Sequence, residues 1–205
     1  ILILLQEQMI NLTKSSKFNI LHISPDFNYS CGVSKHIYLL LRELKKDVSL
    51  NLFFITNGGD SLDRLESINI KPVIIKFTRG WVNIIFFISN YFQLKKFCIE
   101  NKITIIHSHH RYPELIAYLV AKKLSIKTIT TVHSLVLKNR TLSFKSDAII
   151  SVSQIVKQNL INNFGVTSTK IKQLYNFIDS NLVDTSATPA KFSVLNIQEN
   201  SKLLL

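Results

Sequence analysis

At 205 residues the chain is long enough for one domain and part of another, and a hydrophobic content of 46% gives that domain a sizeable core. The formal net charge is +12, yet the 25 Lys and Arg residues are scattered, with no basic block and no aromatic-interleaved motif; a nucleic-acid module is excluded, leaving anionic ligands, an anionic membrane surface or a plain solvated surface. Cys31 and Cys98 form neither C-x-x-C nor a zinc spacing, which sets aside a disulfide framework and makes a reducing cytoplasm the default.

Residues 1–17 are expected to form an N-terminal extension. Their opening, ILILLQEQMI, has no basic n-region and no cleavage site and makes a poor signal peptide. Phe18, Ile20, Leu21 and Ile23 then form the apolar run of a buried strand, ended by Ser24 and Pro25. Val33, Ile37, Leu40, Leu41 and Leu44 recur at helical spacing, so a helix follows and packs one face on the sheet. Gly32 stands just before it. A residue without Cβ lets backbone approach a ligand, and the positive end of a helix favours phosphate; equally, Gly32 can serve only to shape the strand-to-helix turn. Neither G-x-G-x-x-G nor G-x-x-x-x-G-K-[ST] occurs, so the dinucleotide fingerprint and the P-loop are excluded, and a nucleotide-binding oxidoreductase loses its support.

A second strand is predicted over residues 48–55, a loop at Asn57-Gly58-Gly59-Asp60 and a third strand over 73–77. From Trp81 to Ile99 apolar residues spread widely around a helix, which fits burial between layers or, alternatively, an interfacial face carrying Trp81, Phe86, Phe87 and nearby lysines. The apolar run from Trp81 to Ile88 is far short of the ~20 residues that span a bilayer. Ile103, Ile105 and Ile106 make a fourth strand, ending in His107-Ser108-His109-His110-Arg111. Pro113 opens a helix with a core face of Leu115, Ile116, Leu119, Val120 and Leu124, and Glu114 suits its positive end. Strands over 126–132 and 148–152 follow, the first ending at His133; Ser151 and Ser153 stand where a helix through Phe164 needs a cap, and Gly165 fits its stop. The last strand is expected over 171–175.

Strands alternating with helices predict an α/β fold built on a doubly wound parallel sheet, Rossmann-like, over residues 18–180. In such sheets ligands bind at the carboxyl ends of the strands. The loop from Ser24 to Ser34, the group from His107 to Arg111, His133 and Ser153 all follow strands and should line that one edge. The H-x-H of His107 and His109 is compatible with metal ligation, but also with a strand-edge histidine on a backbone partner; a hydrolytic metal site needs more ligands and a carboxylate base, and of the 13 acidic residues only Glu114 is close to it. No metal is expected. No G-x-S-x-G occurs, which disfavours a nucleophilic hydrolase.

The Gly32 loop, the IIHSHH strand end, TVHS around His133, SDAIISVS and the YNFID exit together resemble the N-terminal domain of glycosyltransferase family 4, retaining enzymes of the GT-B fold, from Phe18 to about Asp179. Their succession carries the resemblance. It implies the acceptor-side half of a transferase that moves a sugar from a nucleotide-diphosphate sugar to a glycan or glycolipid in surface polysaccharide or lipopolysaccharide assembly, inactive without a donor half and with no cofactor beyond that co-substrate; the cysteine usage adds a cytoplasmic location, and the basic balance with the Trp81 to Ile88 face adds peripheral contact with an anionic membrane at its inner face. By position, Gly32 would meet the donor diphosphate and His133 would be the catalytic side chain beside the transferred sugar. Ser34, His109, His110, Arg111 and Ser153 would face the acceptor. In this family the donor phosphate itself is thought to deprotonate the acceptor, so no carboxylate pair is needed.

Two positions depart from the family pattern: Cys31 precedes Gly32 where a second glycine is usual, and Phe177 replaces the glycine of the exit. The two spaced glutamates of the donor half are not found. Residues 181–205 are expected to be a linker and the start of a donor-binding domain. The rival reading is a non-catalytic remnant or binding module of the same fold.

Overall fold

The computed structural model describes residues 17–77, 83–137 and 143–176, with the side chains of 83–85 excepted. The expected extension over 1–17 apart from its last residue, Trp81, the Phe177 exit and the segment 181–205 lie outside the described residues.

Seven strands form one parallel sheet in the order β3-β2-β1-β4-β5-β6-β7. They are β1 (Phe18–Ile23), β2 (Leu50–Thr56), β3 (Pro72–Ile74), β4 (Ile105–Ser108), β5 (Lys127–Val132), β6 (Ala148–Ser151) and β7 (Ile171–Gln173). The helices are α1 (Gly32–Leu44), α2 (Asp63–Glu66), α3 (Asn83–Glu100), α4 (Arg111–Leu124) and α5 (Gln154–Phe164). This is the doubly wound architecture that the alternation predicts. The strand order reverses between β1 and β4, and that reversal opens a crevice at their carboxyl ends.

Alternation along the strands sorts the core into two layers. Ile20, Leu52, Phe54, Ile105, Ile129 and Ile150 face Ile37, Leu40, Leu41 and Leu44 of α1. Leu21, Ile23, Ile55 and Ile106 face Leu94 and Cys98 of α3 and Ile116, Ala117, Val120 and Ala121 of α4. A smaller cluster of Val132, Phe144, Ile149, Val156, Leu160 and Ile171 seats α5.

Several expectations shift. The third strand stops at Ile74 rather than at Phe77, because the Asn57 side chain replaces the ladder there: its Oδ1 accepts from Phe77 N at 2.6 Å and its Nδ2 donates to Phe77 O at 3.3 Å. The fourth strand runs on through His107 and Ser108, so the histidine group begins inside the sheet. Helix α4 starts at Arg111, with Pro113 in its first turn, and Leu119 is exposed rather than core; the buried stripe runs through the small residues Ala117 and Ala121, which let the helix sit close to the sheet. Helix α3 takes a divided role, with Leu94 and Cys98 buried while Phe86, Ile88 and Phe92 are exposed. The short α2 has no counterpart in the sequence reading.

The loop into α1 is held by a close approach at Gly59. Its φ is +153°, and a Cβ there would lie 1.9 Å from the carbonyl oxygen of Phe27, so only glycine lets the two loops touch. Phe27 N donates to Gly58 O at 3.1 Å, and Phe27 O accepts from Ser61 N and Oγ. That contact fixes the approach to Gly32.

Candidate functional site at the carboxyl edge

Along the α1 side of the sheet the aliphatic layer gives way to imidazole within one strand step. His22 follows Ile20 on β1, and His107 follows Ile105 on β4; the two histidines are register partners at the β1/β4 reversal. His109 and His133 continue the same faces beyond β4 and β5, and His36 comes from α1. Five of the six histidines of the chain thus meet in one place. His22 Nδ1 lies 3.3 Å from His109 Nε2, and His109 Nδ1 lies 3.4 Å from His133 Nε2. His107 Nε2 pairs with Thr131 Oγ1 at 2.8 Å, and the His36 ring packs edge-on to His133 with centroids 5.0 Å apart.

Burial keeps this cluster neutral. Desolvation lowers His22 to about 3, and it holds His107 and His109 well below the usual imidazole range, with neighbouring imidazoles acting in the same sense. His133 is lowered to about 3, first by burial and then by His36 and His110. A neutral imidazole has one N–H and one bare nitrogen, so each ring can donate once and accept once.

His109 and His133 open on a cavity of about 610 Å³, lined also by Val33 of α1, His110, Arg111, Thr131 and Ser143. Arg111 is held against its wall: Nε and Nη2 donate to Ser143 Oγ at 3.1 and 2.8 Å, and the guanidinium lies 5.8 Å from the Phe144 ring centroid. Glu114, fully buried one turn on, anchors the segment that carries Ser143. Its carboxylate accepts from Phe144 N at 2.9 Å, from Lys145 N at 2.6 Å and from Ser146 N at 3.1 Å. Burial raises the Glu114 pKa and those N–H groups oppose the rise.

The glycosyltransferase family 4 profile matches residues 31–182, about three quarters of the sequence. The chain belongs to glycosyltransferase family 4. Comparison with curated proteins found no match. Among solved structures, a glycosyltransferase from Rickettsia africae ESF-5 superposes with a TM-score of 0.70 at 21% identity, covering 87% of this chain and 48% of that one. The lipopolysaccharide outer core galactosyltransferase WaaB, in its apo form, gives 0.64 at 16% identity, covering 78% and 46%. Anabaena Alr3699/HepE in complex with UDP and glucose gives 0.62 at 12% identity, covering 80% and 46%. The family 4 chain therefore has the Rossmann-like fold found in GT-B enzymes and spans about half the length of these structures.

Of the residues singled out in the sequence, His109, His110, Arg111 and His133 are brought together around the cavity of this family 4 domain. Gly32 is the first residue of α1 rather than the residue before it, with Cys31 as N-cap; its neighbour Val33 lines the cavity, and a Cβ at Gly32 would meet nothing within 4 Å among the described residues. Ser34 is fully buried: its hydroxyl accepts from Asn28 N at 3.0 Å and sits 3.4 Å from Asp26 O, which places it inside the loop rather than on the cavity wall. Ser153 caps α5 by accepting from Val156 N at 3.2 Å, and Gly165 ends that helix in the left-handed conformation, as expected.

His22, His107 and His109 place ring nitrogens within 4.8 Å of one another, the donor set among the described residues that could hold a metal ion. A tetrahedral zinc site of three histidines and a water needs the three ring nitrogens bare and converging on one point at about 2.0–2.1 Å. Here His22 Nδ1 and His109 Nε2 already face each other, His107 Nε2 is engaged by Thr131, and no carboxylate joins them. His22 and His36 were not picked out from the sequence. The parity of His22 with Ile20 was readable, but the adjacency of β1 to β4, which turns that parity toward His107, was not.

Proposed function

We propose that this chain is the acceptor-side half of a nucleotide-sugar-dependent glycosyltransferase that transfers with retention to a glycan or glycolipid. The observation that carries this reading is the convergence, at the strand-order reversal, of His133, His109, His110 and Arg111 on one cavity bordered by the first turn of α1. A shared fold with a structure holding UDP and glucose supports a nucleotide-diphosphate sugar as donor, and a shared fold with a lipopolysaccharide galactosyltransferase supports surface glycan assembly.

Each element has a chemical part. The positive end of α1, with Gly32 at its first position, suits the diphosphate whose charge grows as the sugar leaves. His133 hydrogen-bonds the donor sugar and orients it; a ring kept neutral by burial does not oppose the oxocarbenium charge that develops beside it. His110 and Arg111 meet acceptor hydroxyls or anionic groups from the opposite wall. Glu114, three residues after Arg111, is committed to backbone N–H groups, which fits deprotonation of the acceptor by the donor phosphate rather than by a protein base.

A second feature extends the reading to the membrane. Phe87, Ile88, Tyr91 and Phe92 of α3 and Leu119 of α4 border a groove of about 550 Å³ with Lys122 and Lys123 at its rim. Exposed aromatics beside lysines on a chain of net charge +12 suit the surface of an anionic bilayer, on the cytoplasmic side where nucleotide sugars are found. No helix among the described residues is long and apolar enough to cross a membrane.

The test is His133→Ala in a protein that also carries a donor-binding half. Loss of one transition-state hydrogen bond should lower kcat by roughly 10²–10³ while the acceptor KM stays near the parent value. Undiminished turnover in a folded variant refutes the role of His133.

A further inference from the structure

The structure assigns a positioning role to His22 and His109: together they form a chain of imidazoles that fixes His133 as the Nδ1–H tautomer, so that it meets a ligand as a hydrogen-bond donor. The chain runs from the floor of the sheet to the cavity, through His22 Nδ1, His109 Nε2, His109 Nδ1 and His133 Nε2, with contacts of 3.3 and 3.4 Å. His22 is fully buried on β1, and His109 is 3% exposed just beyond β4.

Its direction follows from the buried end. His22 Nε2 has no hydrogen-bond partner among the described residues. A buried N–H without an acceptor is rarer and costlier than a buried lone pair without a donor, so the His22 hydrogen belongs on Nδ1 and Nε2 is bare. That single placement propagates, because neutral imidazole has one donor and one acceptor. His22 Nδ1–H donates to His109 Nε2, which leaves the His109 hydrogen on Nδ1. His109 Nδ1–H donates to His133 Nε2, which leaves the His133 hydrogen on Nδ1. The reverse direction would strand an N–H at His22 Nε2 in the core. His107 stands beside the chain without interrupting it, since its Nε2 is engaged by Thr131 Oγ1.

The consequence for transfer rests on the proposed function; the tautomer does not. With Nε2 occupied by His109, the polar atom that His133 keeps for a ligand is an N–H. It can hold a sugar hydroxyl oxygen or a phosphate oxygen, and it cannot take a proton from an acceptor hydroxyl.

The experiment is long-range ¹H–¹⁵N correlation on the ¹⁵N-histidine-labelled chain at neutral pH, which distinguishes protonated from bare ring nitrogens at each histidine. The expected spectrum gives His22, His109 and His133 a protonated Nδ1 and a bare Nε2. In His22→Leu the anchor is gone, and His133 should show a measurable fraction of the Nε2–H form. In His22→Asn the amide can supply the donor that Nδ1–H supplied, and the Nδ1–H signature of His133 should return. A wild-type spectrum with Nε2–H at His133 overturns the assignment, whatever the variants do, and so covers the case in which His22→Leu does not fold. A folded His22→Leu with an unchanged His133 tautomer removes His22 from the chain. Stoichiometric Zn²⁺ that shifts the His22, His107 and His109 signals together would make the cluster a metal site instead. Activity enters none of these readouts, so a failed proposal about transfer and a failed tautomer are told apart.

Discussion

Acid should unfold this protein at a pH where most carboxylates are still ionised. The perturbation is protonation of the histidine cluster. His22 is fully buried and lowered to about 3, against 6.5 for an exposed imidazole, so above pH 6.5 it is neutral in both states and adds no pH dependence. Below that the unfolded chain binds a proton that the folded chain refuses, and stability falls with pH until the folded pKa is reached. By linkage His22 alone costs about 2 kcal/mol near pH 5, since each pKa unit is worth about 1.4 kcal/mol. His107, His109, His133 and His36 are all lowered and act with the same sign. Glu114, raised by burial, opposes them. Because whole domains are stable by only about 5–15 kcal/mol, the cluster can consume most of that margin between roughly pH 6.5 and 5. Urea unfolding across that range, followed by circular dichroism, measures the slope, and His22→Leu should flatten it. Equal stability at both ends would refute the argument that these imidazoles are buried and neutral.

Gly32→Val should leave the fold near native, because nothing among the described residues stands within 4 Å of the added Cβ, while donor KM rises in a protein carrying both halves; unchanged donor kinetics would reduce Gly32 to a turn residue. Glu114→Gln keeps one acceptor but turns an amide N–H₂ toward the backbone donors of residues 144–146, so it should lower stability by roughly 2–3 kcal/mol in urea titration and free Ser143 from Arg111. Sedimentation with vesicles should show binding to anionic lipid that weakens with salt, each well-placed Lys contributing about 1 kcal/mol; binding equal on neutral lipid, or none at low salt, makes the α3 face ordinary surface.

Strands such as β1 and β4 were legible as short apolar runs closed by turn residues, α1 by the helical spacing of its apolar residues, and α5 by the Ser153 cap and the Gly165 stop that bracket it. What escaped was set by neighbours distant in sequence. Phe77 looks like strand, and only the Asn57 side chain, 20 residues earlier, explains why the ladder ends at Ile74. Glu114 looked like a charge at a helix start, and its partners lie 30–32 residues on. Leu119 fits the helical period but faces out, because the small residues beside it make the closer packing surface. The cavity group from His109 to Arg111 and His133 was readable because strand ends in a parallel sheet share one edge. His22 was not, since it sits inside a run that reads as core.

That position of His22 bears on how the site is built. A leucine there would continue the aliphatic layer of Ile20 and Ile105 and would escape the acid penalty worked above. An imidazole gives up that margin and leaves Nε2 without a partner among the described residues, so its presence needs a gain elsewhere, and the atom it touches identifies where. Its Nδ1 meets His109, whose other nitrogen meets His133 at the cavity. A ligand-facing histidine supported only by its own loop would be free to turn over and exchange tautomers. Anchored through His109 to a strand in the centre of the sheet, with His36 of α1 packed against its ring, His133 is held by rigid elements on two sides, the condition under which a single hydrogen bond can discriminate between a ground state and a transition state.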